Sequence, residues 1–162
     1  FEAAAEAAHK AGRKVAITLS DTFVVARWRS ELLAFLDGST DIVFANEAEA
    51  CALFETDDVE AATRALAEKV EVVAVTHGPK GSVLVRGDER ADIAAEPVGK
   101  VVDTTGAGDQ YAAGVLFGLA RGLPLETCGR LGAIAAAEVI SHWGPRPMTS
   151  LKDLAEAAGI RL

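Results

Sequence analysis

The chain has 162 residues, half of them hydrophobic, a mean hydropathy of +0.21, and a formal net charge of −8 from 16 Lys+Arg against 24 Asp+Glu. That length supports one α/β core, and the acidic balance argues against nucleic acid or an anionic membrane as the main partner. No apolar run approaches the ~18 residues of a membrane span, and Cys51 and Cys128 match no metal or redox spacing, so reduced thiols and a cytoplasmic setting are expected.

In chain order, Phe1–Ala11 reads as the tail of an Ala-rich helix that stops at Gly12. It begins on Phe in mid-pattern, so a piece of a longer chain is expected. Val15–Leu19 is a short β-branched apolar run, hence a buried strand. Arg29–Leu36 predicts a helix closed by Asp37-Gly38, and Ile42–Ala45 a second buried strand. Asn46 follows as an N-cap for a helix over Glu47–Phe54. Thr56-Asp57 opens a helix to about Lys69, and Val72–Thr76 is a third buried strand. His77-Gly78-Pro79-Lys80-Gly81 is a turn. Ser82–Arg86 and a short strand near Arg90–Ala95 then form a hairpin around Gly87-Asp88. The apolar stretch Tyr111–Ala120 predicts a buried helix. Gly122 ends it, and Pro124 starts a last long helix over Leu125–His142. Trp28 and Trp143 are expected to pack, and Gly114 and Gly118 to let the helix lie close on the sheet.

Alternating β and α segments with short, continuously apolar strands imply an α/β fold. Its sheet is mostly parallel and twisted, covered by helices, with an antiparallel hairpin extension. Ligands of such sheets sit at the carboxyl ends of the strands, where Asn46, Thr76 and the segment 101–110 fall.

That segment, VVDTTGAGDQ, carries the most information. A small-residue turn that opens a helix presents free backbone N–H groups, and the helix dipole adds roughly half a positive charge there. Such an end cradles an anion. Asp109 then stands beside an anion-sized hole, where a carboxylate could take a proton from an attacking hydroxyl, as phosphoryl transfer requires. A β-branched residue at Gly108 is expected to resist positive φ and to block phosphate. Asn46 and Glu49, three apart, share a helix face. They read either as an N-cap with a first-turn acid or as an oxygen pair holding Mg²⁺ through water. Thr76-His77-Gly78-Pro79-Lys80-Gly81 reads either as a plain turn or as a phosphate-approaching loop with a cation at Lys80. No Walker A motif and no Gly-x-Gly-x-x-Gly after the first strand occur.

In the order Asn-x-x-Glu, Thr-x-Gly-x-x-Gly, Asp-Thr-x-Gly-Ala-Gly-Asp, the motifs resemble the C-terminal half of ribokinase-like (PfkB-type) carbohydrate and nucleoside kinases, over essentially the whole chain. Thr18–Phe23, Asp41–Ala50 and Cys128–Gly132 look closest to adenosine kinases. The resemblance implies a ribokinase-like three-layer α/β/α fold. Residues 1–162 would form the ATP-binding, catalytic C-terminal part, without the N-terminal substrate-binding Gly-Gly motif and lid. It further implies Asp109 as base, with the amides of Gly106, Ala107 and Gly108 stabilising the transferring γ-phosphoryl. Asn46 and Glu49 would order Mg²⁺ and its waters. Thr76, Gly78, Lys80, Gly81 and Asn46 would bind ATP, and Asp103 and Thr105 would stand beside a monovalent cation such as K⁺. Where ribokinases carry an adenine-contacting Asn, this chain has Gly132. The expected partners are ATP and a small acceptor, adenosine favoured over ribose, fructose or a keto-sugar acid, with a homodimer allowed. A non-catalytic nucleotide-binding module is the reading from another class.

Overall fold

Continuous runs of Val, Ile and Ala cannot alternate wet and dry faces, so they must be covered on both sides, and they become the central strands. The computed structural model describes residues Phe1–Leu162 and contains α1 (Glu2–Lys10), β1 (Ala16–Thr18), α2 (Thr22–Arg27), α3 (Arg29–Ser39), β2 (Ile42–Asn46), α4 (Glu47–Phe54), α5 (Val59–Ala67) and β3 (Val72–Thr76). A 3₁₀ turn (Gly78–Lys80) leads to β4 (Ser82–Arg86), β5 (Glu89–Ile93), α6 (Ala107–Ala120), α7 (Leu125–Val139) and α8 (Leu151–Ala157). The strands lie in chain order, β1-β2-β3-β4-β5, in one sheet. The chain divides into two units, one of Phe1–His77 with Val85–Glu89 and the other of Gly78–Leu84 with Arg90–Leu162. None of its helices is long and apolar enough to cross a membrane.

In the first unit β1, β2 and β3 pair in parallel, Ala16 opposite Ile42 and Ile42 opposite Val72, through to Asn46 opposite Thr76. The period of two sends Val43, Ala45, Val73 and Val75 to one face. There they join Leu36, Leu53 and Leu66 from α3, α4 and α5 in one buried cluster.

Several boundaries differ from the sequence reading: α6 starts at Ala107 rather than Tyr111, β1 is Ala16–Thr18 and β5 Glu89–Ile93, and three others have a visible local cause or end. α3 continues through Asp37-Gly38 to Ser39, where Thr40 turns extended and its hydroxyl donates to Phe35 O at 3.2 Å. α5 starts at Val59, because the Asp58 side chain caps it by accepting from Ala61 N at 3.0 Å. α7 ends at Val139, before His142. α2, capped by Asp21, and α8, capped by Ser150, carry no clear sequence signal. Both are short, and Thr22, Val24 and Val25 are poor helix formers. Trp28 and Trp143 do not pack as expected, being 48% and 79% exposed. Trp28 sits at the α2–α3 junction with the Arg27 guanidinium 5.4 Å from its ring.

β4 and β5 are joined by the two residues Gly87-Asp88, a connection only antiparallel strands can make. In the second unit α6 is buried along one stripe only, Tyr111, Val115 and Gly118, instead of all round. That stripe meets α7, which corrects the expected role of its glycines. A Cβ on Gly114 would stand 2.5 Å from Leu131 O and 2.7 Å from Gly132 N, and one on Gly118 would stand 2.7 Å from Cys128 Sγ. The small residues therefore bring two helices together, where the sequence predicts contact of a helix with the sheet. Gly132 closes the same seam, 2.9 Å being all that a Cβ there would have from Tyr111 O.

A methyl at position 114 must push backbone, which cannot swing aside. Gly114→Ala should lower stability by about 1–3 kcal/mol, read as a lower urea midpoint at unchanged slope. Gly38→Ala, inside α3 with open space around it, should instead be neutral or stabilising by up to about 1 kcal/mol. Equal midpoints for the two variants would show that α6 and α7 are not in backbone contact.

Candidate active site

β2 ends in Asn46 and β3 in Thr76, and the parallel register places these two residues side by side. Asn46 leaves the strand with an extended backbone and caps α4. Its Oδ1 accepts from Glu49 N at 2.9 Å, while Glu49 Oε2 accepts from Asn46 N at 2.9 Å and Oε1 from Asn46 Nδ2 at 2.7 Å. This is a complete capping box. Glu49 is 6% exposed. Burial pushes its carboxyl above the usual range, the Asn46 N–H opposes that, and the negative charge of Asp21 adds to the rise. Of the two sequence readings, the geometry displays the cap. Each Glu49 oxygen has taken one hydrogen bond and keeps one lone pair. No group of three or more His, Cys, Asp or Glu side chains could hold a metal directly. The pair could accept hydrogen bonds from ordered water through the remaining lone pairs of Glu49. Thr76 Oγ1 reaches Ala45 O at 3.5 Å, and His77, isolated in the sequence, has its Nδ1 2.8 Å from Glu47 Oε1.

In the second unit Gly78 opens the 3₁₀ turn at φ +55, with open space where a Cβ would be. Gly81 also has positive φ, but its missing side chain accommodates β5, since a Cβ there would overlap Ile93 O. The Cβ direction is thus open at Gly78 and occupied by β5 at Gly81. Lys80 is exposed in the same turn.

The 103–109 loop is held by its own polar atoms. Asp103 Oδ1 accepts from Thr105 N at 2.9 Å and from Thr105 Oγ1 at 2.7 Å, and Oδ2 accepts from Gly144 N at 3.1 Å. The Thr105 hydroxyl and N–H, then Gly144 N–H, hold the Asp103 carboxyl below its ordinary range. With three donors on the Asp103 carboxylate and the Thr105 hydroxyl donating to it, these side chains bind the loop together, while Asp103 Oδ2 keeps one lone pair and the Thr105 oxygen both of its own. Ala107 N donates to Thr104 O at 3.2 Å, so this amide is committed within the turn. Gly106 caps α6 with φ +79 and no side chain. The N–H groups of Gly108 and Asp109 fall in the first helical turn, with no backbone acceptor behind them. Asp109 is exposed in that same turn and makes no hydrogen bond or ion pair within the chain. The arrangement offers helix-end N–H groups, a positive dipole end and one uncommitted carboxylate.

The strain expected at Gly108 belongs to Gly106. Gly108 is helical, with nothing within 4 Å of a Cβ position, whereas Gly106 has positive φ and a Cβ there would be 2.6 Å from Pro145 Cβ. Gly144 and Pro145, just beyond the helix expected to end at His142, are therefore part of the loop's support. Gln110 adds to it by donating from Nε2 to Pro145 O at 3.3 Å. Gly132, at the position aligned with an adenine-contacting Asn, faces Tyr111 and Val115 inside the α6–α7 seam.

Gly106→Ala should therefore cost about 1–3 kcal/mol by thermal unfolding, whereas Gly108→Ala should stay within about 1 kcal/mol of the parent. The opposite ranking would place the strained turn elsewhere.

Residues 1–151 match the pfkB family carbohydrate kinases. The cytidine kinase of Thermococcus kodakarensis is 37% identical over 142 residues, which cover 85% of this chain and 51% of that protein. The adenosine kinase structure from Sinorhizobium meliloti superposes with a TM-score of 0.93 at 51% identity, covering 97% of this chain and 48% of the other. A probable sugar kinase from Rhizobium etli CFN 42 does so at 0.93 and 48%, covering 96% and 47%. The chain spans about half the length of the curated relatives it matches. Both halves of the sequence expectation, the ribokinase-like α/β fold and the ancestry of the loop, rest on the same residues, and the chain belongs to the pfkB family of carbohydrate kinases.

Proposed function

We propose that this chain is the nucleotide-binding and catalytic part of a cytoplasmic kinase that transfers the γ-phosphoryl of ATP to the primary hydroxyl of a small acceptor, with adenosine the favoured one. The observation that carries the reading is the N-terminus of α6, where uncommitted N–H groups and the exposed, unpaired Asp109 share one helical turn.

In this reaction Asp109 takes the proton of the acceptor hydroxyl as that oxygen forms a bond to the γ-phosphorus. The bond from the γ-phosphorus to the bridging oxygen breaks, and ADP leaves with the electron pair. The Gly106 and Gly108 N–H groups face the charge that spreads over the transferring oxygens, and the dipole of α6 stabilises it without reorganisation. Mg²⁺, when bound, neutralises phosphate charge, and Asn46 and Glu49 would hold its waters. Thr76, Gly78 and Lys80 would lie along ATP, Lys80 as a compact cation for phosphate. Gly81 sets the shape of that turn. An unpaired carboxylate at an anion-binding helix end repels the anion it sits beside, a cost that a pure nucleotide-binding module has no reason to carry.

Adenosine is supported by the likeness of Thr18–Phe23 and Asp41–Ala50 to adenosine kinases and by the Sinorhizobium meliloti structure. A sugar acceptor is the second reading, supported by the probable sugar kinase of equal TM-score. The segments Thr18–Phe23 and Asp41–Ala50 lie in the scaffold around β1, β2 and α4, not in a described acceptor pocket.

In the full-length protein, Asp109→Asn should leave ATP affinity nearly unchanged and lower kcat by ~10²–10⁴-fold, the usual contribution of a general base. A loss of less than about tenfold with chemistry rate-limiting would remove Asp109 from that role. A competition panel of adenosine, ribose, fructose and 2-keto-3-deoxygluconate should give the highest kcat/KM for adenosine, since a site built to hydrogen-bond its substrate rejects analogues by up to ~10⁴–10⁵. A free sugar in first place would keep the kinase and discard the nucleoside.

A further inference from the structure

The segment Ser141–Ser150 has no buried residue; Trp143 and Met148 are 79% and 77% exposed. Hydrophobic burial therefore does not fix its path. Yet this is the segment that supports the anion loop. Gly144 N donates to Asp103 Oδ2, Pro145 fills the space beside Gly106, and Pro145 O accepts from Gln110. Just before the segment, Ile140 O accepts from Val102 N at 2.8 Å. Something polar must hold the segment in place.

Glu138 is placed to do so. It lies in the last turn of α7, where the helix dipole disfavours an anion, and its side chain is only 4% exposed. Oε1 accepts from both Met148 N and Thr149 N at 2.8 Å, and Oε2 lies 3.3 Å from His142 Nε2. A buried carboxylate in an unfavourable position survives when charge-assisted hydrogen bonds repay its desolvation. Here those bonds close an eight-residue excursion from His142 to Thr149 back onto the end of α7.

We infer that Glu138 is a positioning residue. By tying the 141–149 segment to α7, it sets where Gly144 and Pro145 stand, and through them the geometry of Gly106 and the α6 N-terminus. Glu138 touches neither Asp109 nor the loop glycines, so its influence passes entirely through that segment. The kinetic consequence rests on the kinase reading above; the structural one does not.

The test uses the full-length protein and two readouts, hydrogen exchange and kinetics. In Glu138→Ala, the hydrogen-bonded amides of Val102, Thr105, Ala107 and Gln110 should exchange roughly tenfold faster, while those of β2 and β3 keep their parent rates. kcat should fall by about tenfold or more, with KM for ATP altered far less, since a misplacement near 1 Å can cost ~10²-fold in rate. Glu138→Gln keeps the shape and an acceptor at Oε1, so it should recover part of both effects, and it decides the matter if the alanine variant fails to fold. Uniformly faster exchange across β2, β3 and the loop would mean general destabilisation and would overturn the inference. So would unchanged exchange in the loop, or a local rise with kcat unaltered. A parent protein that phosphorylates no acceptor, together with a local rise in exchange, would sink the kinase reading and leave the tether standing.

Discussion

The uncommitted amides at the start of α6 exist because the chain turns into the helix through Gly106 at φ +79, pressed against Pro145. A helix always leaves its first N–H groups without internal partners, and most proteins satisfy one with a Ser, Thr, Asp or Asn cap. Here the cap position carries no side chain. The loop's own carboxylate, Asp103, is turned away to bind Thr105 and Gly144. The helix end is thereby left without an internal cap, at a cost in local stability that capping would have recovered.

What holds this open end in place is mostly polar, while what holds the helix behind it is mostly steric. α6 meets α7 through glycines with backbone-to-backbone contact at Gly114 and Gly132, an arrangement with little freedom to slide. Tyr111, two residues beyond Asp109, is buried, and its hydroxyl donates to Ser82 Oγ at 2.7 Å. Burial pushes the Tyr111 hydroxyl up to about 12, so it stays a neutral donor at physiological pH. The helix is therefore a rigid post. The loop before it is fixed by the Asp103 and Glu138 carboxylates, both held below their usual range. Asp103 is held there first by the Thr105 hydroxyl. For Glu138, burial acts in the other direction and is outweighed by the Thr149 and Met148 N–H groups.

A net charge of −8 does not conflict with binding a polyphosphate. Long-range repulsion between exposed charges is screened within about 8–10 Å, whereas a helix end and its N–H groups act at contact. The same reasoning separates donor from acceptor. The features of this chain proposed to face an anion are local, and an acceptor hydroxyl needs a carboxylate only at the point of attack. Acceptor choice depends on surfaces that hydrogen-bond the rest of that molecule, which is why relatives named for adenosine, cytidine and sugars match this chain comparably well.

The sequence alone determined the strands Ile42–Ala45 and Val72–Thr76, the helix Glu47–Phe54 with its Asn46 cap, and the small-residue turn of Asp103–Asp109 that opens α6. In each case the signal is local: β-branched continuity, a capping residue, or a small-residue turn before an apolar helix. Only the tertiary structure decided the rest. It showed that Gly106 and not Gly108 carries the left-handed turn, that Gly81 makes room for β5, that Gly114 and Gly118 join two helices, and that Gly144, Pro145 and Glu138 support the loop. Those contacts join residues ten to about forty positions apart in the chain, or depend on which neighbour fills a missing side chain. Periodicity and spacing carry no record of either, because a glycine that permits a turn and one that permits a close approach read identically until the partner is in place.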